Sequence, residues 1–161
     1  MKNEIKKLIE DLTGENGIAR QKARHKLVAI GEPAIEFLLE LQNSTNHQAR
    51  WEAIKAIAQI SDPESIPILI NSLDDPKFDV RWLAAEGLIE IGRKSIKPLV
   101  EALLENIESE FYKEGVHHVL KELHRRREYK DEAKLIHALE EAFSEEKLII
   151  AAEEVVHSLA G

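Results

Sequence analysis

The feature that most constrains this chain is a segment that recurs along it. Residues 49–60 begin Ala49-Arg50-Trp51-Glu52-Ala53, and residues 80–91, 31 positions later, begin Val80-Arg81-Trp82-Leu83-Ala84. A weaker copy occupies residues 19–30. Self-similarity at a fixed period of this length is typical of solenoids, in which each repeat buries its apolar face against its neighbours. The sequence therefore predicts a stack of repeated units.

Each unit has the pattern of two helices. Apolar residues spaced three and four apart form one stripe along a helix. Asp74, Asp75 and Pro76 separate the two helices of a unit, because proline and turn-forming acids end one helix and begin the next. The first stripe is Ile66, Leu69, Ile70 and Leu73, and the second is Val80, Ala84, Leu88 and Ile91, followed by Gly92 as a C-terminal cap.

The repeated line Val/Ala-Arg-x-x-Ala-x-x-x-Leu-x-x-Ile-Gly, preceded by an Asp-rich turn, resembles the HEAT-like repeats of phycobilisome-lyase-type proteins. The resemblance covers about residues 13–125. It implies an all-α, right-handed α-α superhelix of about ten helices in antiparallel pairs, with the arginine-bearing helices on the concave face. We expect one domain, 1–161, with capping helices at 1–13 and 144–160 and repeats at about 17–43, 46–73, 77–105 and 109–143.

Composition excludes several functions. The net charge of −8 disfavours a nucleic-acid partner, because a phosphate backbone would be repelled. The absence of cysteine excludes disulfides and thiolate chemistry. No apolar run approaches the roughly 20 residues that span a bilayer, and no signal peptide is recognisable. We therefore expect a cytoplasmic protein without membrane or nucleic-acid partners, whose oligomeric state the sequence does not indicate.

Three arginines, Arg20, Arg50 and Arg81, occupy the same position in successive units, each seven residues after a polar turn residue (Thr13, Asn43 or Asp74). A guanidinium group can satisfy several acceptors at once. We predict a structural ladder in which each arginine binds loop carbonyls and a polar turn residue of a neighbouring unit.

Helical spacing places aromatic residues on the face away from the core. Tryptophan is the residue most enriched at binding hot spots, although Trp51 and Trp82 could instead pack between repeats, and the sequence leaves both possibilities open. The predicted partner-binding residues are Trp51, Glu52, Lys55, Phe78, Trp82, Leu83, Glu86 and Phe111.

Acidic residues and a histidine share the same predicted face. Residues four apart lie on one side of a helix, and carboxylates with an imidazole could hold iron, manganese or zinc. The candidate metal ligands are Glu86, Glu90, Glu114, His118 and Glu122.

These observations favour a non-enzymatic scaffold or adaptor that binds another protein or a peptide on its concave surface, with no cofactor. The first alternative is a metal-binding HEAT-repeat enzyme or sensor that uses the five candidate ligands. The second, which the family resemblance implies, is a chromophore-lyase-type assembly factor.

Overall fold

Helices run through the whole of the part of the chain that the structure describes. The computed structural model describes residues 1–127, 131–141 and 144–160. Within these ranges there are ten α-helices and no β-strand. The predicted all-α fold is thereby confirmed. The helices are α1 (Lys2–Thr13), α2 (Gly17–Ile30), α3 (Glu32–Leu39), α4 (His47–Ile60), α5 (Ile66–Asn71), α6 (Phe78–Ile91), α7 (Ile96–Glu105), α8 (Glu110–Arg125), α9 (Ala133–Glu140) and α10 (Glu145–Ser158).

Capping residues account for where several of these helices begin or end. The side-chain oxygen of Asn16 accepts from two backbone N–H groups at the start of α2, and Asn46 does the same for α4. Gly31 and Gly92 end α2 and α6 with φ angles of 77° and 81°. Glycine suits these ends because a side chain is strained at positive φ.

Two layers of helices follow from the buried stripes. Helices α2, α4, α6 and α8 pack one against the next, and α1, α3, α5 and α7 pack behind them. Leu69 and Leu73 from one layer and Leu88 from the other are at most 1% exposed, so the core lies between the layers.

The last two helices depart from this alternation. Helix α9 packs beside α8, whereas α10 packs against both α9 and α7. The predicted repeat 109–143 includes residues 128–130 and 142–143, which lie outside the described residues, as does Gly161. No helix in the described ranges is both long and apolar enough to cross a membrane.

Candidate functional site

The three ladder arginines all fasten the loop that precedes their own helix. Each lies in the first turn of α2, α4 or α6. Its Nη1 donates a hydrogen bond to a loop carbonyl, which has no hydrogen-bond partner within a helix. The distances are 2.9 Å from Arg20 to Gly14 O and 2.8 Å to Glu15 O, 2.9 Å from Arg50 to Ser44 O, and 2.8 Å from Arg81 to Asp75 O.

Arg50 also reaches into the next unit. Its Nε and Nη2 donate to the two carboxylate oxygens of Asp75 at 2.8 and 3.2 Å. Burial alone would raise the pKa of Asp75, but hydrogen bonds from Arg50 and from the Lys77 backbone lower it below its ordinary value. The hydrogen bond with Asp75 in turn raises the pKa of Arg50. The polar turn residue that Arg50 contacts is thus Asp75, one position beyond Asp74.

Glu52 does not face a partner as the sequence predicted. It is only 4% exposed and forms an ion pair with Arg24 of α2. Arg20 Nε approaches the same carboxylate at 3.4 Å, and Gln48 donates to it at 3.3 Å. The sequence prediction was wrong here because α2 packs against α4 and its arginines draw the carboxylate inward, where a charge must be paired.

Arg81 differs from the other two ladder arginines. Its guanidinium lies 3.8 Å from the ring centre of Phe111 and 5.7 Å from that of Phe78. Among the described residues, its side chain donates a hydrogen bond to the Asp75 carbonyl, and no carboxylate pairs with it. Arg81 therefore bridges α6 and α8 through aromatic contacts rather than through an acid.

An exposed aromatic cluster surrounds Arg81. Phe78 is 64% exposed, Trp82 46% and Phe111 39%. The Trp82 ring centre lies 6.2 Å from Phe78 and 4.5 Å from the imidazole of His118. We call the surface of α6 and α8 that carries Phe78, Trp82 and Phe111 the aromatic face.

The two tryptophans, although equivalent in sequence, have different surroundings. Trp51 is half-buried against the core, with Arg24 and Lys55 each 5.6 Å from its ring centre. Trp82 stands out from the surface beside α8. Of the two possibilities that the sequence left open, Trp82 therefore fits the exposed one and Trp51 lies nearer the core.

Two pockets lie on either side of Trp82. The first, of about 170 Å³, lies between α6 and α8, and Leu73, Ala85 and Gly115 line it together with the aromatic cluster. The second, of about 580 Å³, lies between α4 and α6. Its walls include three other predicted site residues, Lys55, Leu83 and Glu86, with Leu83 packed partly into the core. The indole of Trp82 forms part of both.

Four of the five candidate metal ligands are drawn into ion pairs, and the fifth, Glu114, lines the smaller pocket. His118 Nε2 donates to Glu86 Oε1 at 2.8 Å. Glu90 and Glu122 both pair with Arg126, at 3.3 and 3.0 Å. Hydrogen bonds from Arg125 and then Arg126 lower the pKa of Glu122 to about 2. In the described ranges no group of three or more His, Asp or Glu side chains is placed to hold a metal ion, so the metal alternative has no site there.

Sequence reasoning missed two residues that shape this surface. Arg24 was not singled out, since the position four residues after each ladder arginine shows no pattern along the chain. Gly115 lines the first pocket, where an added Cβ would meet Leu73 Cδ2 at 3.0 Å. A glycine inside a helix is a signal for close packing, and it could have indicated this position.

Comparison with known proteins gives a consistent picture. A family model described as HEAT repeats matches residues 5–88, which confirms the resemblance noted in the sequence. A bilin biosynthesis protein, RpcF, of Synechococcus sp. (strain WH8020) is 34% identical over 85 residues, which are 52% of this chain and 41% of that protein. The phycocyanobilin lyase subunit beta of Pseudanabaena tenuis (strain PCC 7409) is 37% identical over 82 residues, 50% of this chain and 29% of that protein. The matched region is thus less than half of each relative's length.

A solved structure matches over nearly the whole chain. It is the complex of CpcE and CpcF of phycocyanin lyase from Nostoc sp. PCC7120, with 25% sequence identity and a TM-score of 0.65. The match covers 98% of this chain and 99% of the chain in that complex.

These comparisons correct the functional prediction. We expected a non-enzymatic scaffold or adaptor, but the relatives are named for bilin biosynthesis and chromophore lyase activity. The main prediction was therefore wrong, and the chromophore-lyase-type alternative agrees better with the comparisons.

Proposed function

This chain belongs to the HEAT-repeat family, and we propose that it acts in chromophore attachment, as a subunit of a phycocyanobilin-lyase-type complex. The similar proteins are named as a bilin biosynthesis protein and a phycocyanobilin lyase subunit. The observation that carries the proposal is the end-to-end match, at a TM-score of 0.65, with one chain of the phycocyanin lyase complex. That complex contains two proteins, CpcE and CpcF. We therefore propose a second protein as the partner of this chain.

The composition of the chain limits its part in such a reaction. A bilin is an open-chain tetrapyrrole, and lyase-type attachment joins it to a protein side chain. This chain has no cysteine, so it offers no thiol to which a bilin could be attached. Under the proposal, the chain holds and orients the chromophore while another protein supplies the acceptor.

The aromatic face has the properties that a flat conjugated ligand requires. Exposed aromatic rings stack on planar π-systems, and Trp82 stands between two pockets on this face. The pocket of about 580 Å³ lies within the range of roughly 300–1,000 Å³ typical of small-molecule sites. The smaller pocket continues it on the other side of the indole. We propose that the bilin lies along this surface with Trp82 at its centre.

The proposal is tested by adding phycocyanobilin to the purified full-length chain and recording the bilin absorption spectrum and the quenching of tryptophan fluorescence. We expect saturable binding, which Trp82→Ala weakens by about tenfold, the effect of losing one aromatic contact. Trp51→Ala is the matched control, because Trp51 is half-buried against the core and lines neither pocket. Both variants should retain the wild-type circular dichroism spectrum. If the wild-type chain leaves the bilin spectrum unchanged, or if Trp51→Ala weakens binding as much as Trp82→Ala, the proposal is wrong.

A further inference from the structure

Among the described residues, Arg81 is the ladder arginine that meets no carboxylate, unlike Arg20 and Arg50. Arg50 pairs with Asp75, 25 residues further along the chain, and Arg20 approaches Glu52, 32 residues further. The residues at the same distances from Arg81 are Asn106 and Lys113. Neither carries a negative charge, so the acid that would complete the third step of the ladder is not encoded at either place.

The guanidinium of Arg81 is nevertheless held in a defined position. Its Nη1 donates to Asp75 O at 2.8 Å, and its plane lies against Phe111 at 3.8 Å from the ring centre. In the described part of the chain, Nε and Nη2 of Arg81 donate no hydrogen bond. An arginine presents five N–H donors in a rigid fork that matches a carboxylate. The fork therefore has donors available at the wall of the pocket between α6 and α8.

The other charged side chains that line this pocket do not pair with Arg81. His118 lines the pocket but is paired with Glu86 at 2.8 Å. Glu114 also lines the pocket, but it is exposed and forms no ion pair with Arg81. The pocket thus has one fixed cation, one acid at its rim and an aromatic wall.

We propose that Arg81 anchors a propionate carboxylate of the bilin, so that the tetrapyrrole enters the aromatic face in one orientation. This inference rests on the proposed function and adds the chemical group of the bilin that the chain recognises. A bilin carries propionate side chains on a flat conjugated body, which matches a guanidinium beside the rings of Phe78 and Trp82. Arg81 is then the residue that determines orientation, and Glu114 opposes the anion by like-charge repulsion.

The test compares phycocyanobilin with its dimethyl ester, which retains the conjugated body but has no carboxylate. The wild-type chain should bind the free acid about tenfold more tightly than the ester, the effect of one hydrogen bond to a charged group. Arg81→Gln should remove this preference by weakening the acid and leaving the ester unchanged. Arg125→Gln is the matched control for the change in net charge, because Arg125 is exposed at the end of α8 and lines neither pocket.

A second variant keeps the inference testable if Arg81→Gln disturbs the fold through its contacts with Asp75 and Phe111. Glu114→Gln leaves Arg81 in place and should tighten binding of the acid without affecting the ester. If wild-type protein binds acid and ester equally, or if neither Arg81→Gln nor Glu114→Gln changes their ratio, Arg81 is not the anchor, although the proposed function would stand. If neither compound binds, the proposed function itself fails.

Discussion

Residues at equivalent positions of successive repeats have different roles here because their neighbours differ. Glu52 follows Arg50 by two positions and Leu83 follows Arg81 by two, so the two are equivalent. Glu52 became a buried ion-pair partner because Arg24 of α2 lies next to it, whereas Leu83 packs partly into the core. A single residue on this surface therefore cannot be interpreted without the helix packed beside it.

The first prediction concerns the buried pair. Glu52→Gln leaves the guanidinium of Arg24, which is 9% exposed, without its counter-charge. Breaking a buried ion pair by removing one partner costs about 3 kcal/mol of unfolding free energy. Urea denaturation measures this loss. The control is Glu90→Gln, whose exposed pair with Arg126 contributes less than about 1 kcal/mol. Equal losses for the two variants would show that the Glu52 pair is not stabilising.

The second prediction concerns the ionisation of Glu140. Hydrogen bonds from Lys121 and then from His117 lower the pKa of Glu140 to about 2. Because the folded pKa is lower than the unfolded one, the ionised carboxylate stabilises the fold above the ordinary pKa of 4.5. This contribution is lost as the pH falls from 4.5 to about 2. Side-chain carboxyl NMR should give a midpoint near 2 that rises in Lys121→Gln, while Lys134→Gln, which removes a different ion pair, leaves it unchanged. A midpoint that does not respond to Lys121→Gln would contradict this.

At the scale of helices, the closeness of their packing is set by small residues. A Cβ added at Gly87 of α6 would lie 2.9 Å from Ala58 Cβ and 3.2 Å from Ala58 Cα of α4. The distance of 2.9 Å is shorter than Cβ atoms tolerate. Neither Ala58 Cβ nor Ala58 Cα can move away without moving the backbone of α4. Helices α4 and α6 can therefore pack at their present separation because residue 87 has no side chain.

Gly87→Ala should accordingly destabilise the protein. Alanine gains about 1 kcal/mol of helix propensity over glycine, but overpacking costs about 1–3 kcal/mol, so we expect a net loss of about 1 kcal/mol. Thermal or urea unfolding measures it. Ala58→Gly in the same chain removes the nearer atom, and the double variant should be more stable than the sum of the two single losses predicts. If the two losses simply add, the contact between α4 and α6 is not the cause.

At the end of the stack, ion pairs between helix faces accompany the packing of the last helices. Helix α8 presents His117, Lys121 and His124, and these meet Glu140 and Glu132 of the α9 segment at 2.7–3.0 Å. Helix α9 therefore lies along α8, and α10 packs on α7 as well as on α9. The family resemblance in the sequence ends at about residue 125, and spacing along the chain could not indicate which of the last helices would pack on which.

For the whole molecule, the fold is a series of neighbour contacts. In such solenoids stability is a sum of unit terms and nearest-neighbour terms, so a local weakness stays local. Leu148→Ala in α10 removes a side chain that is 4% exposed, and Leu8→Ala in α1 removes one that is 6% exposed. Each should cost about 2 kcal/mol or more.

Native-state hydrogen exchange distinguishes local from global effects. We expect Leu148→Ala to reduce protection in α9 and α10 while α2 and α4 keep the wild-type protection, and Leu8→Ala to do the reverse. A uniform loss of protection along the chain in either variant would mean that the helices unfold as one cooperative unit.

Much of the architecture could be predicted from the sequence. The apolar stripes indicated the helices, and the period of about 31 residues indicated that the units repeat, since both are local regularities. The candidate site was only partly predictable. Phe78, Trp82 and Phe111 are exposed as the spacing predicted. Helical spacing, however, gives the direction of a side chain and not which residues of other helices it contacts.

The sequence by itself determined that this chain forms a stack of paired helices, because helix periodicity and repeat spacing follow from residues close together along the chain. Only the tertiary structure decided that Glu52 is paired inside. It likewise decided that, among the described residues, the candidate metal ligands form no group of three or more and Arg81 lies on Phe111 without an acid. These outcomes depend on atoms from helices about 30 residues apart in sequence, whose closeness is set by packing in three dimensions.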